Sequence, residues 1–237
     1  MIAPAIKQNM KSTFPKAIFL SALLISAPVL SIAQSVVYDN TSTNFQATSG
    51  GRPFVYAPAT KTAEFGDQIT LATSPNRNAS LFQFYYYYNG AASDLPTATV
   101  RFYSGAPSAS SLFYTSDAIP LSGRDTLGYG RGVVDFSTAN SSLALPDALT
   151  WTVQFANLGA NTASLLLFGP PTVGSSFNDF WENSGTWQTM QITGLDPAQN
   201  SFGAQVTAVP EPGVLALGAL ALLARLGMGR YSKRHRR

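Results

Sequence analysis

The sequence contains no cysteine, and its single histidine, His235, lies in the last three residues. Without cysteine, the protein has no disulfide and no thiolate nucleophile. Because the body of the chain also lacks histidine, Ser-His-Asp and Cys-His catalytic sites and histidine-bound zinc are excluded there. The chemistry left to the body is that of carboxylates, hydroxyls and aromatic rings.

Charged residues are scarce, at 11% of the 237 residues, and the basic ones are concentrated at the two ends. Residues 34–209 hold eleven acidic and six basic residues, a net charge of −5. A nucleic-acid-binding protein needs a basic face on its folded body. We therefore expect no nucleic-acid partner.

The amino-terminal segment, residues 1–33, has the pattern of a secretory signal peptide. Lysines precede the apolar stretch "AIFLSALLISAPVLSIAQS", and small residues, Ser31 and Ala33, occupy the positions that signal peptidase requires. An uncleaved anchor helix is the alternative, but Pro28 argues against a long helix. We predict cleavage after Ala33, export from the cytoplasm, and a mature chain that begins at Gln34.

A second apolar run, residues 214–224, lies near the carboxyl terminus. As a helix it would be about 16 Å long, or about 22 Å if it continued to residue 228, against a hydrocarbon core of roughly 30 Å. We predict a short transmembrane helix with the body outside the cytoplasmic membrane. The basic tail that would hold the other end in the cytoplasm comprises Arg225, Arg230, Lys233, Arg234, Arg236 and Arg237.

Between the body and this run stand Pro210, Glu211 and Pro212, which favour an extended, helix-free segment. The order of Pro-Glu-Pro, apolar helix and arginine cluster over residues 209–237 resembles the PEP-CTERM sorting signal of Gram-negative bacteria. The resemblance implies recognition by an exosortase, a membrane cysteine protease/transpeptidase, and removal of the tail. It also implies a membrane-tethered precursor that is delivered to the cell surface or the exopolysaccharide matrix.

The body, residues 34–208, has the pattern of an all-β domain. In "TATVRFYS" and "LTWTVQFA" apolar and polar residues alternate with a period of two, which indicates strands with one solvated face. About ten such runs are separated by Gly, Pro, Asn, Asp and Ser, with no amphipathic helix between them. We predict a single β-sandwich, jelly-roll-like in topology.

Two kinds of carbohydrate site can be considered for this body. A glycosidase would need a pair of carboxylates, for which Glu64, Glu182 and Asp179 are candidates. The last two lie in "NDFWEN", which is equally typical of a loop with a solvated acid. We expect no enzymatic activity, and therefore no catalytic residues.

A carbohydrate-binding module would instead need exposed aromatic rings. The four tyrosines at 85–88 must alternate between two faces, and the candidates for stacking on sugar are Tyr86, Tyr88 and Trp181. The alternative is that these rings fill the core. Binding of exopolysaccharide through exposed aromatics is thus the second hypothesis, after a non-enzymatic surface or matrix protein.

The sequence predicts no cofactor and no metal site. Oxygen ligands suited to calcium occur at Asp39, Asn40, Asp67, Asp94, Asp117 and Asp196. None belongs to a dense D-x-D-x-D loop of the EF-hand kind. A structural calcium ion is therefore kept only as an alternative.

Overall fold

The computed structural model describes residues 34–42, 53–137, 143–192 and 201–210. Within these ranges the chain forms fourteen β-strands, one short 3-10 turn at Ala92–Asp94 and no α-helix. The strands are β1 Ser35–Asp39, β2 Val55–Tyr56, β3 Glu64–Thr70, β4 Asn76–Tyr88, β5 Thr97–Tyr103, β6 Leu112–Thr115, β7 Ile119–Pro120, β8 Tyr129–Asp135, β9 Ala148–Ala156, β10 Ala163–Phe168, β11 Ser175–Asn183, β12 Trp187–Met190, β13 Ser201–Phe202 and β14 Ala204–Pro210. The prediction of an all-β body is confirmed.

The strands form two antiparallel sheets. The first has the order β1-β14-β4-β10-β13, with β2 also on β10 and β8 on the opposite edge of β4. The second has the order β12-β11-β3-β9-β5-β6, with β7 also on β5. Seven strands fall alternately in the two sheets, in the order β3, β4, β5, β8, β9, β10 and β11. Between β5 and β8, the chain forms β6 and β7, which both pair with β5 in the second sheet. The chain therefore crosses from one sheet to the other repeatedly.

Aromatic rings from the two sheets meet in a shared core. Phe82 of β4 lies 5.2 Å from Trp151 of β9, measured between ring centroids, and Phe202 of β13 lies 5.7 Å from Phe65 of β3. All four rings are buried. Because each pair joins one sheet to the other, the hydrophobic core lies between the sheets, as in a β-sandwich.

The alternation in β9 is confirmed on one face and modified on the other. The side chains expected to face the core are buried: Leu149, Trp151, Val153 and Phe155. Thr150 and Thr152, expected on a solvated face, are also fully buried. Thr150 donates to the carbonyl of Gly105, and Thr152 donates to the carboxylate of Glu64. These two outward positions of β9 are thus buried, and each hydroxyl donates to another part of the protein.

The predicted targeting segments fall outside the described residues. These are the signal peptide at 1–33 and the sorting signal from residue 211 onward, including the apolar run and the basic tail. In the ranges that are described, no helix is long and apolar enough to cross a membrane. Strand β14 continues to Pro210, two residues beyond the predicted end of the body at 208.

Candidate functional site

The most distinctive surface of the body is a group of tyrosines on the outer side of the first sheet. It comprises Tyr85 and Tyr87 of β4 with Tyr129 and Arg131 of β8, and is called the tyrosine face below. The three tyrosines are half-buried and Arg131 is exposed. They share one side of the sheet because the residues between them in each strand project into the core.

The tyrosine face is built from two successive cross-strand pairs. Tyr87 lies opposite Tyr129 with ring centroids 5.2 Å apart, and Tyr85 lies opposite Arg131. The Arg131 guanidinium donates a hydrogen bond of 3.2 Å to Oε1 of Gln83, the preceding outward residue of β4. Three aromatic rings and one guanidinium therefore lie side by side on two neighbouring strands.

Two glycines of β8 set the position of this face. Gly130 and Gly132 lie opposite Tyr86 and Phe84, and a Cβ on either glycine would come within 2.5 Å or 2.2 Å of the facing ring. Side chains there would collide with the core aromatics. The rings of Phe84 and Tyr86 therefore occupy the space on the inward side of β8, where the glycines have no side chain. The outward residues of β8 lie next to the outward residues of β4.

An open depression of about 370 Å³ adjoins the tyrosine face. Tyr85, Tyr129 and Arg131 line one side of it, and Asp125 lies on the loop that borders it. The Asp125 carboxylate accepts hydrogen bonds of 2.9 Å from the backbone N–H groups of Leu127 and Tyr129. The loop is thus held in place by its own backbone.

A second cavity, of about 680 Å³, lies at the end of β4 beyond Tyr87. Arg124 crosses it and donates to the carbonyl oxygens of Tyr88 and Gly90, at 3.0 and 2.7 Å. Its guanidinium carbon also lies 4.8 Å from the centre of the Tyr88 ring. Leu127 projects from the rim and is 69% exposed. Together the two cavities extend the concave surface past the tyrosine face.

For two of the three candidate sugar-stacking residues, the prediction of an exposed ring is wrong. Tyr86 and Tyr88 are both fully buried, because they belong to the core-facing set of β4. Burial raises the pKa of both phenols, and Tyr88 donates a 2.9 Å hydrogen bond to Asp94. Neither ring offers a face to a ligand. The pair of the four-tyrosine run that faces outward is Tyr85 and Tyr87, and both are half-buried.

Trp181, the third candidate, lies in the other sheet. It is half-buried on β11 and donates from its indole nitrogen to Gln68 at 3.3 Å. Trp181 cannot share a binding surface with the tyrosine run, since the two side chains belong to different sheets.

Glu64 is the centre of a polar network on the second sheet. Its Oε2 accepts a hydrogen bond of 2.9 Å from Arg101, and its Oε1 accepts from Tyr103 at 2.7 Å and from Thr152. Burial and the bond to Glu64 together raise the pKa of Tyr103. Gln154 adds a 3.2 Å contact to Arg101. Both oxygens of the Glu64 carboxylate therefore accept hydrogen bonds from protein side chains. This arrangement is typical of a structural ion pair.

Glu182 does not face Glu64, so these two candidate carboxylates do not form a pair. Glu182 lies opposite Phe65 and projects into the core side of β11, whereas Glu64 lies opposite Asn183 on the outer side. Tyr56 donates to Glu182 at 2.5 Å and Ser184 donates at 2.7 Å. The two carboxylates belong to opposite faces of one sheet and cannot share a cleft.

Asp179 lies in the same strand as Glu182, since β11 includes the "NDFWEN" segment that resembles a loop. It is half-buried and close enough to Asp67 to help raise the pKa of that carboxyl. Glu182, expected in a loop to be solvated, is only 5% exposed.

Asp67 is a completely buried carboxyl group between the sheets. Its Oδ2 accepts a hydrogen bond of 2.5 Å from the backbone N–H of Phe202, and its Oδ1 has no hydrogen-bond partner among the described residues. Burial raises the pKa of Asp67 well above its ordinary value, the Phe202 bond opposes this, and the charge of Asp179 adds to it. Such a group is stable as the neutral acid.

The other candidate calcium ligands do not converge. Asp39 accepts from Thr41, Asn40 bonds to the β13–β14 backbone, Asp94 accepts from Tyr88 and Asn161, and Asp196 lies outside the described residues. Over the described part of the chain no three acidic or histidine side chains are grouped as a metal site would require.

No family model, no curated protein and no solved structure matches this chain.

Proposed function

We propose that this protein is an exported, non-enzymatic surface or matrix protein, sorted and processed at its Pro-Glu-Pro signal by an exosortase. The proposal is supported by the signal-peptide pattern at 1–33 and by the similarity of residues 209–237 to PEP-CTERM sorting signals. Signal peptidase and exosortase are its processing partners. The product would be held at the surface or released into the exopolysaccharide matrix of a Gram-negative bacterium.

The observation that supports this proposal most strongly is where the folded strands begin and end. Strand β1 begins at Ser35, immediately after the proposed first mature residue, Gln34. Strand β14 ends at Pro210, the first residue of the proposed signal. Cleavage at the signal-peptide junction, and cleavage after residue 210, would leave every described strand whole. Processing is therefore compatible with a stably folded product.

Proline explains the irregular pairing at the end of β14. Pro210 has no N–H to donate to the ladder, and the pairing of β14 with β4 is already irregular between Val209 and Pro210. A second proline follows at 212. We infer that a processing enzyme recognises the Pro-Glu-Pro sequence that begins at Pro210. Because the chain crosses repeatedly between the two sheets, we also propose that the body has a jelly-roll-like topology.

Glu211→Ala tests the sorting proposal in the native host. We expect the variant to be exported but to keep its apolar and basic tail in the membrane fraction. The matched control is Asp117→Ala, which also removes one acidic residue but from an exposed position in the body. The control should be shortened like the wild type. A Glu211→Ala protein shortened to the normal mass would contradict the proposal.

Binding of polysaccharide is the second candidate function of the body. The sequence placed it on Tyr86 and Tyr88, which are buried. It is favoured now by a different observation, namely that Tyr85, Tyr87 and Tyr129 lie together on an outer sheet face beside an open depression. Aromatic rings of this kind stack on the apolar faces of pyranose rings. The three tyrosine hydroxyls make no hydrogen bond with other described residues and could bond sugar hydroxyls.

A further inference from the structure

We infer that the tyrosine face binds a carboxylated polysaccharide, with Tyr87 and Tyr129 stacking on sugar rings and Arg131 pairing with a uronate carboxylate. This inference rests on the polysaccharide-binding role proposed above and is independent of the sorting signal. It assigns both a ligand class and an orientation, and each can be tested separately.

The shape of the face suits an extended chain. The outward residues of β4 from Gln83 to Tyr87 span about 13 Å at roughly 3.3 Å per residue. Beside them, Tyr129 and Arg131 widen the surface to two strands. A two-strand strip of this length accommodates a short oligosaccharide segment rather than a small globular ligand. The open depression lined by Tyr85 and Tyr129 continues the strip at one side.

The charged residue of the tyrosine face itself, Arg131, is a cation. Arg131 is exposed, and its hydrogen-bond partner is the neutral amide of Gln83. The ion pairs within the described ranges use Arg77 and Arg101 instead. Asp125 borders the same depression, but it holds two backbone N–H groups of its loop. An arginine whose guanidinium is not paired with a protein carboxylate can donate hydrogen bonds to a carboxylate of a ligand.

The tyrosine face also lies far from the membrane-directed end of the body. Asn76, at the start of β4, is paired with Pro210, where the proposed tail begins. Tyr87 lies eleven residues further along β4, a distance of about 36 Å at roughly 3.3 Å per residue. Tyr87 therefore lies at the opposite end of β4 from the residue where the proposed tail begins.

The experiment measures binding of the full-length protein to oligogalacturonate and to its methyl ester, which has the same rings without the charge. We expect the charged oligomer to bind more tightly. Tyr87→Ala and Tyr129→Ala should weaken both ligands by roughly three- to tenfold, since each removes a stacking ring. Arg131→Gln should weaken only the charged oligomer, and Arg131→Lys should restore part of the difference.

Three variants control for folding and for unspecific aromatic binding. Tyr87→Phe and Tyr129→Phe keep the rings and should keep most of the affinity. Phe177→Ala removes an exposed ring, 47% accessible, from the other sheet and should have no effect.

Three outcomes would overturn the inference. Binding that is unchanged in Tyr87→Ala and Arg131→Gln would place the ligand elsewhere on the body, and polysaccharide binding itself would stand. No binding of either oligomer by the folded protein would overturn both. A dimer in sedimentation that dissociates in Tyr87→Ala would identify the face as a contact between two copies of the chain. None of these results bears on Glu211.

Discussion

Ser35 and Ala208 lie opposite each other in the antiparallel pair of β1 and β14. The first and last strands of the body are therefore neighbours, and the chain enters and leaves the first sheet at the same end. The proposed signal-peptidase and exosortase cleavage points adjoin this pair in sequence.

Gly66→Ala should strongly destabilise the fold. A Cβ at Gly66 would lie 2.1 Å from the backbone oxygen of Trp151 in the neighbouring strand β9, and backbone cannot yield as a side chain can. We expect a loss of about 1–3 kcal/mol or more in the free energy of unfolding. Gly123→Ala is the control, because its Cβ would meet nothing within 4 Å. Urea unfolding of both variants measures the difference, and equal stabilities would contradict the packing described here.

Glu64→Ala should cost about 2–3 kcal/mol, because it leaves Arg101 without its carboxylate and removes the acceptor of Tyr103. The side chains of the Glu64–Arg101 pair are only 11% and 22% exposed. In the second ion pair, Arg77–Asp147, the Asp147 side chain is 86% exposed. Asp147→Ala should therefore change stability by less than about 0.5 kcal/mol. Chemical denaturation of the two variants should separate them clearly, and a similar loss in both would show that Glu64 is no more than a surface partner.

Asp67→Asn should stabilise the protein at neutral pH more than at acidic pH. Burial raises the folded-state pKa of Asp67. The stability that the neutral acid contributes is then fully present below the unfolded pKa of about 3.9 and is lost as pH rises through the folded value. Asparagine does not titrate, so the stability gained over the wild type should grow with pH from about 4 upward. Unfolding measured over a pH series tests this, and a gain that shrinks as pH rises has the wrong sign.

Tyr56→Phe should weaken the link between the two sheets. Tyr56 of β2 donates a 2.5 Å hydrogen bond to the buried Glu182 of β11, and its ring packs 4.7 Å from that of Phe180. The variant keeps the ring but leaves a carboxylate oxygen without this donor, which should cost about 1–2 kcal/mol. Tyr114→Phe is a suitable control, since its hydroxyl makes no hydrogen bond with the described residues. A thermal shift of the same size in both variants would contradict this role for the Tyr56 hydroxyl.

Much of the strand pattern was predictable, because alternation of polar and apolar residues reflects which side of a strand faces the core. The faces of the tyrosine run were predictable too, but the sequence interpretation chose the wrong pair for the outside. Gln83 carried the missing signal, since it shares the face of Tyr85 and Tyr87, while Phe82 and Phe84 share that of Tyr86 and Tyr88. The polar residue marks the outer side.

Strand β11 could not be recognised in the same way. Its inward positions include Glu182, a charged residue that breaks the apolar pattern and is stabilised by Tyr56 from the other sheet. The Glu64 network likewise joins residues from three strands that are distant in sequence. Contacts of this kind depend on sheet order and register, which periodicity does not provide.

The intact mass of the protein recovered from its native host tests the central claim most directly. The account predicts a chain that begins at Gln34 and has lost the apolar run and the basic tail, with any attached group visible as added mass. A molecule that carries all 237 residues and is freely soluble would contradict it.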